Sequence, residues 1–338
     1  MARQGILLVN LGSPDSPKTG DVRRYLREFL MDPKVLDVPW PVRFGIVHFA
    51  ILPRRPKESA EAYRKIWTPE GSPLVVSTRK LKEAIAERFP GIVVEWAMRY
   101  RHPTIESAML SLKRQDVARV VVFPLFPHYA MSSYESAVER VRVVARKISR
   151  WMELPVIWPY YDHPEYIEAL VARSKPYIEK EHDHLLFSFH GVPERHLRKS
   201  DPTGSHCLAS ADCCSADHPA HATCYRAQCL RTMEAFAARA GLAKGKYSFA
   251  FQSRLGKDPW LRPYADQTIR EMPAMGIRRL LVICPAFISD CLETIEEIGM
   301  QAKKEFLDAG GESFELIPCL NEHPRWIDAM EALIDKAL

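Results

Sequence analysis

Short apolar runs without polar alternation recur along this chain, and segments with helical spacing lie between them. A strand that is apolar at successive positions is buried on both faces, and helices between such strands form the crossovers of a parallel sheet. The pattern therefore predicts an α/β fold built on parallel sheets. The predicted strands are Gly5–Leu11, Ile92–Trp96, Val117–Phe123, Pro155–Trp158, Leu185–Phe189, Tyr247–Phe251, Arg279–Cys284 and Phe314–Ile317.

The length of 338 residues predicts two domains, because a single hydrophobic core stops growing near ~250–300 residues. We place the first domain at residues 1–155 and the second at 156–310, each with about four strands. Residues 311–338 form a final strand and helix that could pack back on the first domain. No long flexible linker separates the halves, so we expect tight packing with a cleft between them.

Charge and hydropathy exclude several classes of protein. The net charge is only +5, and acidic and basic residues are interspersed, which argues against nucleic-acid binding. No apolar run approaches the ~20 residues of a membrane span. The first residues, Met1 to Leu8, lack the features of a signal peptide, so we expect a cytoplasmic protein.

A histidine stands where a predicted strand ends. Leu185–Phe189 runs into His190, and Gly191 and Pro193 then stop the strand. Ligands of parallel sheets bind beyond the carboxyl ends of the strands, so His190 is a candidate site residue. A hydrogen-bonded loop histidine is the structural alternative.

A second candidate group follows the strand Leu280–Cys284, where Asp290, Glu293 and Glu297 enter a helical segment. Asp290 with Glu293 three residues later fits a capping box, which is the structural interpretation. In the functional interpretation Glu293 faces the same site as His190. A histidine and a carboxylate together can bind a divalent metal and accept protons.

Aromatic and basic residues suggest a flat acidic ligand. Trp260, in the loop 252–263, could pack locally or stack on such a ligand, and the cations of 54–57 and 99–102 would suit its carboxylates. The apolar segment Trp40–Leu52 is either a buried helix or an apolar lip beside a cleft. Composition alone favours the buried helix.

Five of the eight cysteines lie within 23 residues, from Cys207 to Cys229. A reducing cytosol disfavours disulfides, so this group predicts metal or cluster ligands. The surrounding loop, Asp201–Thr223, has no apolar periodicity. Something other than a hydrophobic core must hold it together.

These segments together resemble ferrochelatases along nearly the whole chain. The matching segments, in family order, are Gly5–Pro14, Val22–Pro33, Arg55–Pro73, Ser188–Pro193, Gln252–Pro263 and Ala286–Glu297. The resemblance is closest to the proteobacterial type, which inserts ferrous iron into protoporphyrin IX to form protohaem. It implies two similar Rossmann-like domains with a porphyrin cleft between them.

The resemblance also implies roles for individual residues. His190 and Glu293 would coordinate the iron substrate and remove the pyrrole protons, with Asp290 as a nearby acidic group. Cys291 falls where some members have a histidine, so the resemblance does not extend to a proton relay through that side chain. Trp40–Leu52 matches the lip of the active site, which reverses the interpretation from composition. Porphyrin contacts would come from Arg55, Lys57, Tyr63, Ser72, Arg99, Tyr100, Trp260 and Phe287.

The cysteine-rich insertion, residues 203–225, resembles that of a bacterial subset that binds a 2Fe-2S cluster. Such a cluster needs four ligands, typically thiolates. The insertion supplies four cysteines: Cys207, Cys213, Cys214 and Cys224. Cys229 would substitute if the adjacent pair cannot both bind. Zinc is the rival occupant, with His206, His218 and His221 as further ligands.

Two other functions remain open from the sequence. One is a cobalt or nickel chelatase acting on another tetrapyrrole. The other is a non-catalytic haem or iron–sulfur carrier or sensor, although such a carrier would not need both His190 and Glu293. The expected partners are protoporphyrin IX, ferrous iron and, through the lip, the surface of the inner membrane.

Overall fold

The structure is a computed structural model that describes residues 3–149, 151–256 and 258–338. Lys257, in the predicted ligand loop 252–263, lies outside the described residues. The chain divides into two compact units. Unit 1 comprises Met1–Phe126, Met131–Trp158 and Met330–Leu338, and unit 2 comprises Pro127–Ala130 and Pro159–Ala329. The boundary expected at residue 155 lies close to the change of unit after Trp158.

Unit 1 contains a parallel sheet with the strand order β2-β1-β3. Its strands are β1 (Arg3–Gly12), β2 (Val93–Tyr100) and β3 (Val117–Pro124). Ile6 to Val9 of the central strand are fully buried, as expected for an apolar run between two neighbours. The α-helices of this unit are α1 (Thr19–Leu30), α2 (Trp40–Gly45), α3 (Arg55–Ile66), α4 (Pro73–Arg88), α5 (Ile105–Arg114) and α6 (Ser136–Ile148).

The fourth strand expected in the first half does not form. Residues 155–158 make a single isolated bridge to β3, between Val156 and Val122, with the Ile157 N–H donating to the Val122 carbonyl at 2.9 Å. Pro155 has no N–H to donate, so the ladder cannot continue regularly through it. The described sheet of unit 1 therefore has three strands.

Unit 2 contains a four-stranded parallel sheet with the order β5-β4-β6-β7. Its strands are β4 (His184–His190), β5 (Tyr247–Gln252), β6 (Arg279–Ile283) and β7 (Ser313–Leu316). Later helices are α7 (Pro164–Ile178), α8 (Glu194–Ser200), α9 (Tyr225–Ala240), α10 (Ala265–Glu271), α11 (Lys303–Asp308) and α12 (Pro324–Asp335), with 3₁₀ turns at Pro219–Ala222 and Met272–Met275. The prediction of an α/β fold with two parallel sheets is confirmed.

Three segments are π-helical rather than α-helical: Ile46–Ile51, Met131–Glu135 and Glu293–Ala302. The expected helix over 132–148 thus begins as a π-turn and continues as α6. Apolar spacing does not separate i→i+5 from i→i+4 hydrogen bonding, so the sequence did not predict this. In the described part of the chain, no helix has both the length and the hydropathy needed to cross a membrane.

Candidate active site

His190 is the last residue of β4 and is half-buried at the carboxyl end of the unit 2 sheet. Its Nδ1 lies 2.6 Å from the carbonyl oxygen of Gly191. Since a carbonyl oxygen only accepts, Nδ1 carries the proton and Nε2 keeps its lone pair in the neutral ring. The Nε2 atom is therefore the nitrogen that can accept a proton or bind a metal.

Glu293 is the first residue of the π-helix Glu293–Ala302, which follows β6. The capping box proposed for it is absent. The Asp290 carboxylate instead accepts hydrogen bonds from Asn321 Nδ2 at 2.7 Å and from the Thr294 hydroxyl at 3.2 Å. The Asp290 side chain ties the loop to Asn321, so it does not act as the N-cap of the helix.

Glu297 lies four residues after Glu293, and its carboxylate accepts a hydrogen bond from the Ser253 hydroxyl at 2.5 Å. Burial raises the pKa of Glu297, and the hydroxyl of Ser253 opposes this rise. The charge on His190 also lowers this pKa, while the charge on Glu293 raises it. His190, Glu293 and Glu297 are thus close enough to influence one another electrically.

Two predicted aromatic residues lie beside His190. The ring of Phe287 is 6.2 Å from the imidazole, at an angle of 59°. Trp260 forms an isolated bridge with Pro193, and its indole N–H donates to the Leu255 carbonyl at 3.0 Å. A Cβ on Gly191 would lie 2.9 Å from the Ser253 carbonyl oxygen and 3.3 Å from Trp260, which explains why the residue after His190 is glycine.

Arg99 and Tyr100, predicted near the porphyrin carboxylates, belong to a polar network at the end of β2. The Arg99 guanidinium pairs with Asp32, and its Nε donates to the Ser136 hydroxyl at 2.7 Å. The Tyr100 hydroxyl donates to Asp32 at 2.9 Å. Burial raises the pKa of Tyr100, and the Asp32 charge adds to this. Asp32 therefore already balances the charge of Arg99.

The other predicted residues of unit 1 differ in exposure. Arg55 and Lys57 are exposed on the first turn of α3, and Arg55 pairs with Glu58 at 3.5 Å. Tyr63 is buried in an edge-to-face contact with Tyr25, and Ser72 is buried at the start of α4. In this structure the two cations are therefore open to solvent, whereas Tyr63 and Ser72 are covered by protein.

The apolar segment Trp40–Leu52 has one packed and one exposed face. Val47 and Leu52 are buried in a cluster with Leu30. Trp40 and Phe49 are 58% and 77% exposed. Arg43, which lies within this segment, is not a surface cation. Its side chain is buried and donates to the carbonyl oxygens of residues 36 and 38 at 3.1 and 3.0 Å.

The four cysteines of the insertion lie close together. The sulfurs of Cys213 and Cys214 are 3.9 Å apart, and the Cys224 thiol interacts with the thiols of both Cys214 and Cys207. Burial raises the pKa of Cys207 to about 11, although the hydrogen bond with Cys224 opposes the rise. Cys229 is fully buried on α9 beside Tyr225. The insertion thus brings several cysteine thiols near one another.

The histidines of the insertion are engaged with the backbone. Nε2 of His206 and Nε2 of His221 lie 2.7 and 2.9 Å from the Cys213 carbonyl oxygen, and His218 accepts from the Ala220 N–H. Across residues 3–149, 151–256 and 258–338, no three or more His, Cys, Asp or Glu side chains are arranged to hold one metal ion.

The sequence model of the family described as Ferrochelatase matches residues 3–338. The chain belongs to the ferrochelatase family. It is 50% identical to a ferrochelatase of Stutzerimonas stutzeri, over 100% of this chain and 99% of that protein. It is 51% identical to a ferrochelatase of Azotobacter vinelandii, over 98% of each. The resemblance inferred from the sequence is confirmed.

Solved structures extend this comparison to the fold. SirB from Bacillus subtilis with Fe³⁺ matches with a TM-score of 0.57 at 13% identity, covering 99% of this chain and 95% of SirB. The cobalt complex of the sirohydrochlorin chelatase SirB from Bacillus subtilis subspecies spizizenii matches with a TM-score of 0.55 at 12% identity, with the same coverage. At this identity the likeness concerns the fold alone, and it agrees with a chelatase-like ferrochelatase fold.

Two residues of the predicted ligand loop 252–263, to which no role was assigned from the sequence, contact the acidic helix of this ferrochelatase. Gln252 donates through its side chain to the Glu293 carbonyl oxygen at 2.8 Å, and Ser253 donates to Glu297. Both follow the apolar run Tyr247–Phe251. Their position at a strand end is the same sequence feature that singled out His190, so it could have identified them.

Proposed function

We propose that this ferrochelatase inserts ferrous iron into protoporphyrin IX and that His190 and Glu293 carry out the proton and metal chemistry. One observation supports the assignment of residues most strongly. Gln252 pairs with His190 in the register of β4 and β5, and its side chain donates to the Glu293 carbonyl oxygen. The next residue, Ser253, donates to the Glu297 carboxylate, so an imidazole and two glutamates lie at the carboxyl end of one sheet. Proton acceptors and oxygen or nitrogen ligands are what this reaction requires.

The chemistry follows from what must leave the reactants. A free porphyrin carries two pyrrole N–H protons, and ferrous iron carries water. The Nε2 atom of His190 accepts one proton or binds the metal, since Nδ1 is already engaged by Gly191. The carboxylate of Glu293 balances the charge of the metal or takes the second proton. Asp290 is a weaker candidate, because its carboxylate already accepts from Asn321 and Thr294.

The macrocycle must also pucker so that the nitrogen lone pairs turn towards the metal. Rigid aromatic walls can hold a distorted ring, at the expense of binding energy from the rest of the substrate. We assign this task to Trp260 and Phe287. The remaining proposed porphyrin contacts are Arg55, Lys57, Tyr63, Ser72, Arg99 and Tyr100.

Metal-insertion assays test the proposal against its rival. Purified protein is mixed under anaerobic conditions with protoporphyrin IX and one metal ion, which is ferrous iron, cobalt or nickel in separate reactions. The loss of free porphyrin is followed by fluorescence. We expect ferrous iron to give protohaem with turnover. Turnover with cobalt or nickel but not with iron would support the rival chelatase. No turnover with any metal would support a carrier.

For the insertion we propose a 2Fe-2S cluster held by Cys207, Cys213, Cys214 and Cys224. Support comes from the mutual contacts of these thiols and from the composition of residues 205–223, where Leu208 is the only large apolar side chain. When bound, such a cluster supplies one-electron redox chemistry and fixed thiolate bonds. The chain's own contribution is to bring the thiols together, with Arg226 donating towards Cys213 and Cys214 at 3.9 and 3.8 Å.

We further infer a cytoplasmic protein that touches the inner membrane peripherally through Trp40–Leu52. The exposed Trp40 and Phe49 support this, and so do the exposed cations Arg54 and Arg55 that follow the segment. An apolar face bordered by cations is typical of interfacial binding. A membrane contact would also bring the protein to an apolar substrate.

A further inference from the structure

We propose that Gln252 is a positioning residue for iron insertion. Its side-chain amide bonds to Ser188, on the strand that carries His190, and to Glu293, the first residue of the π-helix that follows β6. The inference rests on the proposed roles of His190 and Glu293, and it assigns to Gln252 the task of holding the two groups in register.

Gln252 is the last residue of β5 and pairs with His190 in the parallel register of β4 and β5. Its side chain is buried, with 2% of the residue exposed. Oε1 accepts a hydrogen bond from the fully buried Ser188 hydroxyl at 2.7 Å, and Nε2 donates to the Glu293 carbonyl oxygen at 2.8 Å. One side chain therefore joins β4, β5 and the π-helix.

The chemistry of the partners fixes the orientation of this amide. The Glu293 carbonyl oxygen can only accept, so the amide nitrogen must face it. The amide oxygen then faces Ser188, and the Cys284 thiol donates to the same oxygen at 3.7 Å. A flipped amide would place two carbonyl oxygens against each other. The connection consequently has a single arrangement.

Gln252 also acts through its backbone on the residue after His190. Its carbonyl oxygen accepts from the Gly191 N–H at 2.6 Å, and Gly191 in turn accepts from Nδ1 of His190. The backbone of Gln252 thus fixes the imidazole side, and its side chain fixes the residue that bears the Glu293 carboxylate. A shift of about 1 Å between reacting groups can cost about 100-fold in rate.

A purely structural role would give a different result from a positioning role, and the same two strands offer a matched control. Nε2 of His184 lies 2.8 Å from the Ser248 hydroxyl, which is a side-chain bond between β4 and β5 at their amino ends. Ser248→Ala removes a bond of the same kind far along the strands from His190. Gln252→Met keeps the length of the side chain but removes its donor and acceptor. Gln252→Glu keeps an acceptor for Ser188 and removes the donor to Glu293.

The experiment measures kcat and KM for iron insertion and the thermal midpoint for the full-length wild type and for Gln252→Met, Gln252→Glu, Ser188→Ala and Ser248→Ala. We expect both Gln252 variants to lower kcat about tenfold or more, with KM for porphyrin within about twofold. Ser188→Ala should lower kcat about threefold, since it loosens one end of the amide. Ser248→Ala should keep the wild-type kcat even where its thermal midpoint falls.

The inference is overturned if folded Gln252→Met keeps the wild-type kcat. It is also overturned if Ser248→Ala loses kcat in proportion to its loss of stability. If both Gln252 variants fail to fold, Ser188→Ala decides, and an unchanged kcat there also overturns it. His190→Ala and Glu293→Gln are assayed in parallel. If these two keep their turnover, the proposed roles of His190 and Glu293 fail, whereas loss of the proposed function itself would appear as no iron insertion by the wild type. If they lose it while Gln252→Met does not, only the role of Gln252 fails.

Discussion

The two ring nitrogens of His190 differ because the next residue in the chain accepts from one of them. Nδ1 donates to Gly191, so the free lone pair is on Nε2. Glu293 has a different setting, because its helix starts without the capping box and Asp290 is engaged by Asn321. Each of these differences gives a residue-level prediction.

His190→Ala should lower iron insertion about 100-fold or more, because general acid–base groups typically contribute 10²–10⁴-fold. Porphyrin binding, measured by fluorescence titration, should change little since most of the ligand surface is untouched. His182→Ala, which removes a histidine of the loop before β4, is the control and should keep full activity. Near-normal turnover in His190→Ala would refute the assignment.

Glu293→Gln should remove most activity and change the free energy of unfolding by less than about 0.5 kcal/mol, because its side chain caps no helix. Asp290→Asn is the matched variant. It should cost about 1–3 kcal/mol by disturbing buried hydrogen bonds to Asn321 and Thr294. Both quantities come from urea unfolding and turnover in one preparation. A stability loss of about 0.5–2 kcal/mol with activity kept in Glu293→Gln would instead indicate a capping role.

Two elements of this protein are only partly held by the hydrophobic core. The insertion is a series of turns whose order depends on Asp201, which accepts the N–H groups of His206 and Cys207 at 2.8 Å each. Burial alone would raise the pKa of Asp201. The hydrogen bonds to its carboxylate, of which the one from the Cys207 N–H has the largest effect, outweigh burial and hold this pKa well below its usual range. The lip is held on one side by Val47 and left open on the other at Phe49.

As isolated, the protein should be reddish-brown, with about two irons and two acid-labile sulfides per chain. Cys207→Ser and Cys224→Ser should lose the colour and lower the thermal midpoint, because the loop has little apolar surface to order it. Cys229→Ser is the control and should keep the visible spectrum, since that thiol is buried on α9. Colourless protein with one zinc per chain would contradict the cluster, and loss of colour in Cys229→Ser would reassign a ligand.

Replacing Trp40 and Phe49 together with Ser should reduce flotation with anionic liposomes by about tenfold. The two residues are the most exposed aromatic side chains of the lip, and their burial in lipid would contribute about 25 cal/mol per Å². Met275→Ser removes an apolar side chain that is 74% exposed in unit 2 and should leave flotation unchanged. Equal flotation of the double variant and the wild type would exclude the lip as the membrane contact.

At the scale of the whole molecule, stability at mild acid pH depends on a buried histidine outside the site. His128 is 2% exposed, and its Nε2 lies 2.8 Å from the Thr232 hydroxyl, which itself donates to the Tyr161 carbonyl at 2.7 Å. Nδ1 has no hydrogen-bond partner within the described chain. Burial lowers the pKa of His128 to about 3.

The unfolded chain binds this proton below about pH 6.5, while the folded protein does not bind it until about pH 3. The contribution of His128 to the free energy of unfolding is therefore fully present above pH 6.5. It is lost progressively as the pH falls from 6.5 towards 3. Between pH 7.5 and 5 the free energy of unfolding should fall by about 2 kcal/mol from this group. His128→Gln keeps a donor for Thr232 and should remove that part of the difference, as measured by urea unfolding at both pH values. An equal pH difference in both proteins would contradict the prediction.

The α/β architecture could be predicted from the sequence, because unbroken apolar runs such as Ile6–Val9 favour strands that are buried on both faces of a sheet. The sequence also singled out His190, Glu293 and the insertion cysteines, because strand ends and clustered thiols are local features of the chain. Their chemical roles were carried by family resemblance rather than by pattern.

The contacts of the candidate side chains, in contrast, depend on the three-dimensional packing and could not be predicted. The burial of Arg43 against backbone carbonyls, the engagement of Asp290 by Asn321 and the link from Gln252 to Glu293 join residues that local periodicity does not relate. The π-helical geometry of Glu293–Ala302 is likewise absent from the apolar pattern. The physical reason is that a hydrogen bond depends on positions to within a few tenths of an ångström, and those positions are set by the packing of the whole unit.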